Sequence, residues 1–81
     1  MDLLRFRGWL AMHQHDSRRT IAGWPDVFAL RGDRIFVAEL KTEKGRTTRA
    51  QEAWLAAFQR AGIDTYVIRP SDLTWLDTVL R

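Results

Sequence analysis

The sequence predicts one α/β domain, residues 1–81, in which helices flank a mixed sheet. Two patterns support this prediction. Short apolar runs separated by turn signals indicate strands, and an amphipathic segment with helical spacing lies between the third and fourth of these runs. A helix between two strands implies a right-handed crossover and therefore a mixed sheet. The predicted order is αβββαβ followed by a short C-terminal helix.

The first half of the chain supplies one helix and three strands. The predicted segments are a helix from Leu3 that breaks near Gly8, a strand at about 9–13, a polar loop at 15–23, and strands at 26–30 and 35–41. Gly32-Asp33 is a turn signal between the last two strands, so these are predicted to form a β-hairpin.

A capping-box pattern marks the start of the second half. Thr48 is followed three residues later by Gln51, which predicts a helix from Arg49 to about Ala61 with Gly62 as its C-cap. The predicted apolar stripe of this helix comprises Ala50, Trp54, Ala57, Phe58 and Ala61, and Gln51 lies one step from it. A strand at 63–68 ends before Pro70, and Ser71 or Asp72 caps a last helix through Leu80.

Two acidic motifs lie at adjacent ends of the predicted hairpin. Pro25-Asp26 opens its first strand, and Glu39-Leu40-Lys41 closes its second. Antiparallel pairing brings these two ends together, so Asp26 and Glu39 are expected to meet at one edge of the sheet. Carboxylates and a backbone carbonyl, here that of Leu40, are the oxygen ligands that Mg²⁺ or Mn²⁺ prefers. The motifs therefore predict a metal site suited to phosphodiester hydrolysis.

Two further side chains are candidates for the same site. Alternation places Lys41 on the face of Glu39, where it could orient the attacking water or balance charge. Its ordinary alternative is an exposed salt bridge to Glu39 or Glu43. Gln51 lies on the inward side of the helix's first turn, so it could touch metal-bound water or a strand backbone in addition to its capping role.

Basic and hydroxyl residues near the site are candidates for nucleic-acid contacts. The net charge is +3, and arginines outnumber lysines, which suits bidentate phosphate binding. Arg46, Thr48 and Arg49 lie at the positive end of the long helix, and Ser17, Arg18 and Arg19 lie in the polar loop. An ordinary solvated arginine-rich surface is the alternative interpretation.

The composition indicates the compartment and the kind of protein in which this site is expected. The absence of cysteine excludes disulfides and thiolate zinc sites and is compatible with a reducing cytoplasm. No apolar run has the length of a membrane span, and the first residues lack the order of a signal peptide. A chain this short buries a modest core, so self-association is expected.

Several motifs in order resemble the VRR-NUC family of the PD-(D/E)XK nuclease superfamily. They are His15-Asp16-Ser17-Arg18-Arg19, Gly23-Trp24-Pro25-Asp26-Val27, the run from Ala38 to Arg46, Gln51 with Trp54-Leu55, Ala61-Gly62, and Arg69-Pro70-Ser71-Asp72. The resemblance implies an αβββαβ core and a Mg²⁺- or Mn²⁺-dependent endonuclease. It also implies that Asp26 and Glu39 are metal ligands, Lys41 the catalytic lysine and Gln51 the family's helix glutamine.

The resemblance further implies a substrate and an assembly. Small stand-alone members from bacteria and phages are thought to cut branched DNA, such as four-way junctions, as homodimers. The sequence departs from the family in its first helix, which usually carries a glutamate, whereas Asp2 is the only acid within residues 1–7. Either the chain starts late, or the site works with one carboxylate fewer, or another subunit provides it. The competing interpretations are a non-catalytic DNA-binding module of the same fold and a structural interaction domain.

Overall fold

A computed structural model describes residues 2–13 and 21–81. Its elements are α1 (Asp2–Phe6), β1 (Leu10–His13), β2 (Val27–Arg31), β3 (Arg34–Leu40), α2 (Arg49–Arg60), β4 (Asp64–Ile68), a 3₁₀ turn (Pro70–Asp72) and α3 (Leu73–Leu80). The prediction of an α/β fold, with helices beside a mixed sheet and a short C-terminal helix, is confirmed.

The four strands form one sheet in the order β1-β2-β3-β4. β1 pairs with β2 and β2 with β3 in antiparallel fashion, and β4 is parallel to β3 because α2 carries the chain back between them. Val27 pairs with Ala38, and Arg31 pairs with Arg34 next to the hairpin turn. Because side chains alternate across a strand, this register fixes which residues of β2 and β3 share a face.

One face of the sheet packs against α1 and α3 and forms the main core. Its buried residues are Leu4, Trp9, Val27, Ala29, Phe36, Ala38, Ile68, Leu76 and Leu80. The Trp9 indole N–H also donates to the Leu80 carbonyl at 3.0 Å, which ties the residue before β1 to the end of α3. This layer is remote from the Glu39 side chain, which lies on the opposite face of β3.

The other face of the sheet carries α2 and an aromatic cluster of Trp24, Phe28, Trp54 and Phe58. Leu55 is the buried residue of α2, and Gln51, Trp54 and Phe58 are half-buried on the same side. The predicted apolar stripe is wrong in its alanines, since Ala50, Ala57 and Ala61 are exposed. The large side chains and Gln51 set the rotation of the helix, because alanine gains little from burial.

The described surface retains several large apolar side chains. Phe6 is 78 % exposed, Leu10 75 %, Ile21 63 % and Leu73 57 %. No helix within residues 2–13 and 21–81 has both the length and the apolar character that crossing a bilayer requires. These exposed side chains are scattered over α1, β1, the segment before β2 and α3.

Candidate active site

The hairpin brings Asp26 beside Glu39. Val27 pairs with Ala38, so the same register, continued by one residue, sets Asp26 opposite Glu39. The Asp26 carboxylate accepts a hydrogen bond from the Leu40 backbone N–H at 2.8 Å. Pro25, which precedes it, is fully buried and fixes the entry of the chain into β2. The aspartate is thus tied to the strand that carries the glutamate.

Glu39 is the one buried charged residue of the described chain, with 2 % of its surface exposed. Its Oε1 accepts a hydrogen bond from Gln51 Nε2 at 3.0 Å, whereas its Oε2 is buried without a hydrogen-bond partner. Burial raises the pKa of the Glu39 carboxyl from 4.5 to about 8, and the neighbouring Asp26 adds to this while Lys41 opposes it. A neutral Glu39 carboxyl is therefore favoured at neutral pH as long as no cation is bound.

Gln51 joins the start of α2 to Glu39. Its side-chain oxygen accepts from the Thr48 backbone N–H at 2.8 Å, and its own backbone N–H donates to the Thr48 hydroxyl at 3.1 Å, which completes the predicted capping box. The amide nitrogen remains free for Glu39. Both ends of the Gln51 side chain are thus occupied, so the first turn of α2 fixes the orientation of the Glu39 carboxyl.

The segment that leads into Asp26 rests directly on α2. Gly23 has φ +83°, and a Cβ at this position would lie 2.4 Å from the carbonyl carbon of Ala50 and 2.7 Å from the Gln51 backbone nitrogen. Only glycine allows so close an approach. Trp24 then packs edge-on against Trp54, with 5.1 Å between ring centroids. The backbone before Asp26 and the backbone of Gln51 are therefore in direct contact.

Lys41 follows the end of β3 and is half-buried. Its backbone N–H donates to the Ile68 carbonyl at 2.9 Å, so β4 holds the residue as if the strand continued. By alternation its side chain lies on the Glu39 face. Glu43, the other acid near it, is engaged elsewhere, since its carboxylate accepts hydrogen bonds from the Ser71 backbone N–H and hydroxyl.

Comparison with protein families identifies this arrangement. The family model described as VRR-NUC domain matches residues 4–72, which is most of the chain. The chain belongs to the VRR-NUC family. No curated protein and no solved structure matches it. VRR-NUC proteins are nuclease-type modules that bind DNA, and VRR-NUC nucleases are generally dependent on a divalent metal.

The acids of this VRR-NUC chain fit a hard divalent cation, although they are few. Among residues 2–13 and 21–81, no group of three or more His, Cys, Asp or Glu side chains is placed to hold a metal ion. Asp26 and Glu39 supply two carboxylates at one edge of the sheet, and the Leu40 carbonyl is the third predicted ligand. The unpartnered Oε2 of Glu39 is a buried oxygen that a cation would satisfy.

The predicted DNA-contacting residues of the VRR-NUC chain divide into two groups. Arg46 and Arg49 are exposed beside the start of α2. The Thr48 hydroxyl serves the cap as the acceptor for the Gln51 N–H. The other predicted contacts, Ser17, Arg18 and Arg19, lie outside the described residues.

Sequence reasoning gave no role at the candidate site to Gly23 or Arg69, and it used Pro70-Ser71-Asp72 only to end the last strand and cap the last helix. The Arg69-Pro70-Ser71-Asp72 motif supported the family resemblance, yet its contacts lie with the turn after Lys41. The sequence marks Gly23 by its position directly before Trp24-Pro25-Asp26, but it does not show what the glycine contacts. The close backbone approach to α2 is a tertiary feature, which no local pattern reveals.

Proposed function

We propose that this protein is a DNA endonuclease that uses Mg²⁺ or Mn²⁺ to hydrolyse phosphodiester bonds. The observation that carries the proposal is the buried Glu39 carboxyl beside Asp26, with its Oε2 accepting no hydrogen bond from the protein. Buried polar atoms of a structural side chain are normally hydrogen-bonded, and a buried carboxyl with a strongly raised pKa beside a second acid is typical of a functional site. Asp26, Glu39 and the Leu40 carbonyl would hold the cation.

Hydrolysis places a water oxygen on phosphorus and breaks one bond from phosphorus to a sugar oxygen, which takes up a proton. The phosphate is already anionic, so negative charge builds up as the water approaches. A divalent cation held by Asp26, Glu39 and the Leu40 carbonyl would supply positive charge against this build-up and would favour deprotonation of the attacking water. In this proposal Lys41 orients the water or balances the developing charge, and Gln51 keeps the Glu39 carboxyl in the orientation that binding requires.

The DNA backbone is proposed to contact the basic surface beside this site. Arg46 and Arg49 flank the start of α2, where exposed guanidinium groups and the positive end of the helix favour phosphate. Thr48, which is exposed at the same helix end, is proposed to belong to this surface. Ser17, Arg18 and Arg19, which lie outside the described residues, are proposed to add contacts from the polar segment that precedes β2 in the sequence.

The substrate preference and the assembly are proposed from the family. Branched DNA such as a four-way junction is the proposed substrate, and a homodimer is the proposed active form. Two-fold symmetry would present two identical sites, which suits a junction with two equivalent strands to cut. The site of action is proposed to be the cytoplasm of a bacterial or phage-infected cell.

Cleavage assays test the proposal. Linear, flap and four-way-junction DNA are incubated with the protein, with and without magnesium, at one modest salt concentration. Wild-type protein is expected to cut the junction fastest, in a magnesium-dependent manner. Asp26→Ala and Glu39→Ala are expected to lower the rate by about 100-fold or more, as the loss of a main electrostatic contact does. Asp33→Ala, an exposed acid at the far end of the hairpin, serves as the matched control.

Three outcomes separate the candidate functions. If no DNA form is cut, but DNA binds with a steep salt dependence and calorimetry detects no magnesium binding, the chain is a DNA-binding module without catalysis. If neither metal nor DNA binds, it is a structural interaction domain. If cutting occurs but the three DNA forms react at equal rates, the nuclease proposal stands and the preference for branched DNA falls.

A further inference from the structure

The turn that follows Lys41 is closed by a side chain that comes from just beyond β4. The Arg69 guanidinium donates two hydrogen bonds from Nη1, one to the Thr42 carbonyl at 2.6 Å and one to the Gly45 carbonyl at 2.7 Å. The Gly45 N–H donates to the Thr42 carbonyl at 3.3 Å within the same turn. One arginine therefore holds both ends of the turn 42–45.

A second contact fixes this turn through the side chain of Glu43, which belongs to the turn itself. The Glu43 carboxylate accepts from the Ser71 backbone N–H at 2.6 Å and from the Ser71 hydroxyl at 3.0 Å. The Arg69 backbone N–H in turn donates to the Asp72 carboxylate at 2.7 Å. Hydrogen bonds that involve an ionised group are stronger than neutral ones. The exposed turn 42–45 is thus held to the segment that leads into α3 by one cation, Arg69, and one anion, Glu43.

Gly45 of this turn lies beside the stem of Lys41. A Cβ at Gly45 would lie 3.7 Å from Lys41 Cδ and 2.9 Å from Thr42 Oγ1. Lys41 and Arg69 also line the same shallow depression, together with Ile68 and Leu73. A lysine stem has many rotamers, so neighbours that restrict it determine where its amine is held.

We propose that Arg69, supported by Glu43 and Ser71, is a positioning residue for Lys41. The inference rests on the proposed function, because it gives Arg69 a task in DNA hydrolysis through the lysine. Arg69 itself uses its guanidinium on the turn and does not contact the carboxylates of the site. A positioning residue affects the rate of the chemical step more than the binding of DNA or metal.

Arg34 provides a matched control at the other end of β3. Its guanidinium also donates to two backbone carbonyls, those of Val79 and Arg81, at 2.9 and 2.7 Å. It lies six residues before Leu40, which is roughly 20 Å away along the strand. Arg34→Lys therefore removes the same kind of contact without touching the turn after Lys41.

The experiment compares Arg69→Lys with Arg34→Lys in three measurements: kcat and KM on the junction, magnesium affinity by calorimetry, and amide hydrogen exchange. Arg69→Lys is expected to lower kcat at least about tenfold while KM and magnesium affinity stay within about twofold. Exchange at the Gly45 amide is expected to accelerate by about tenfold or more. Arg34→Lys is expected to change kcat and Gly45 exchange by less than about twofold. Gly45→Ala, which disturbs the turn from within, is expected to lower kcat as Arg69→Lys does.

The outcomes distinguish this inference from the proposed function. If wild-type protein cuts DNA but the two arginine variants have the same kcat, the positioning role is refuted and the nuclease proposal stands. If Arg69→Lys raises KM and leaves kcat unchanged, Arg69 binds DNA directly and the positioning role is again refuted. Wild-type protein that cuts none of the DNA forms refutes both.

Discussion

The Glu39 side chain lies where an ionised carboxylate is poorly solvated. It is 2 % exposed, it has one hydrogen bond from Gln51, and it faces the Asp26 carboxyl. Burial and a neighbouring acid both favour the protonated form, which is why the pKa of Glu39 rises to about 8. The fold therefore holds a carboxyl group at some cost to its own stability. That cost is expected at a binding site and unexpected in an ordinary core.

Glu39→Gln is expected to remove a pH dependence from the stability of the metal-free protein. The folded-state pKa of Glu39, about 8, lies above the ordinary value of 4.5, so the folded protein binds more protons than the unfolded chain between these limits. The free energy of unfolding should therefore fall as pH rises from about 4.5 to 8. The glutamine variant has a side chain of the same shape that does not titrate. Its free energy of unfolding should therefore rise relative to that of wild type by a few kcal/mol across this pH range.

Denaturant unfolding of both proteins at several pH values, in the presence of a chelator, measures this difference. Titrations of groups that do not interact with Glu39 cancel when the two proteins are subtracted, so the difference reports Glu39 together with its neighbour Asp26. A difference that stays constant from pH 4.5 to 8 would mean that Glu39 is ionised throughout, and the account of its burial would be wrong.

At the scale of the elements, the hairpin and the start of α2 could be predicted from sequence. Alternation in β3 and the Gly32-Asp33 turn determine the register, and the register determines that Asp26 and Glu39 are neighbours. The Thr48–Gln51 capping box is a local signal, and it forms as predicted. These are short-range features, for which neighbouring residues carry the information.

The contacts that complete the candidate site could not be predicted in the same way. Arg69 bonds to Thr42, which is 27 positions earlier in the chain, and Gly23 touches the first turn of α2. Both contacts depend on how the helices and strands pack against one another once they have formed. The stripe of α2 was mispredicted for a related reason: alanines carry a weak hydrophobic signal, and the Gln51 bond to Glu39 belongs to tertiary structure.

The contact between the segment before β2 and α2 is expected to be sensitive to a single methyl group. Gly23→Ala would place a Cβ 2.4 Å from Ala50 and force a residue with a side chain to φ +83°, so we expect a loss of roughly 2–3 kcal/mol in unfolding free energy. Gly32→Ala is the matched control, because φ is +60° there and the space is open. It should lose only about 1 kcal/mol, the cost of the backbone conformation alone.

Denaturant unfolding of the two glycine variants checks the difference. Because the Gly23 backbone lies against Gln51, the variant should also lose nuclease rate beyond what its folded fraction explains. Equal destabilisation by the two alanines would contradict the close packing of this segment on α2.

At the scale of the molecule, residues that follow α1 contact α3 near the other end of the chain. Arg7 donates two hydrogen bonds at 2.7 Å to Asp77 of α3. The guanidinium groups of Arg31 and Arg34 each lie over the Trp9 ring, 4.9 Å from its centroid, and both arginines also donate to carbonyls at the end of α3. The last carbonyls of a helix lack partners within the helix, so these donors explain how α3 ends on the sheet.

Asp77→Asn is expected to weaken the contact between Arg7 and α3. It should also make the stability of the protein depend less on pH in the acid range. The hydrogen bond from Arg7 lowers the pKa of Asp77 below 3.8, and Arg7 and Arg81 add a favourable charge interaction. The stabilisation by Asp77 is therefore complete above its ordinary pKa and is lost as pH falls through the lower, folded-state value. Thermal unfolding between pH 2 and 7 measures this stabilisation. Asp33→Asn, at the exposed hairpin turn, is the control. Parallel profiles for wild type and Asp77→Asn would rule out the contribution.

The proposed homodimer makes a prediction about the whole molecule in solution. A chain of 9.5 kDa buries only a modest core, and Phe6, Leu10 and Ile21 are each more than 60 % exposed. Association would remove apolar surface from water, so the molar mass from light scattering should be about twice that of one chain. Because a dimer is stabilised by mass action, its unfolding midpoint should rise with protein concentration. A single-chain mass at tens of micromolar, with a midpoint independent of concentration, would show that the protein acts as a monomer, and each molecule would then present one site to the DNA.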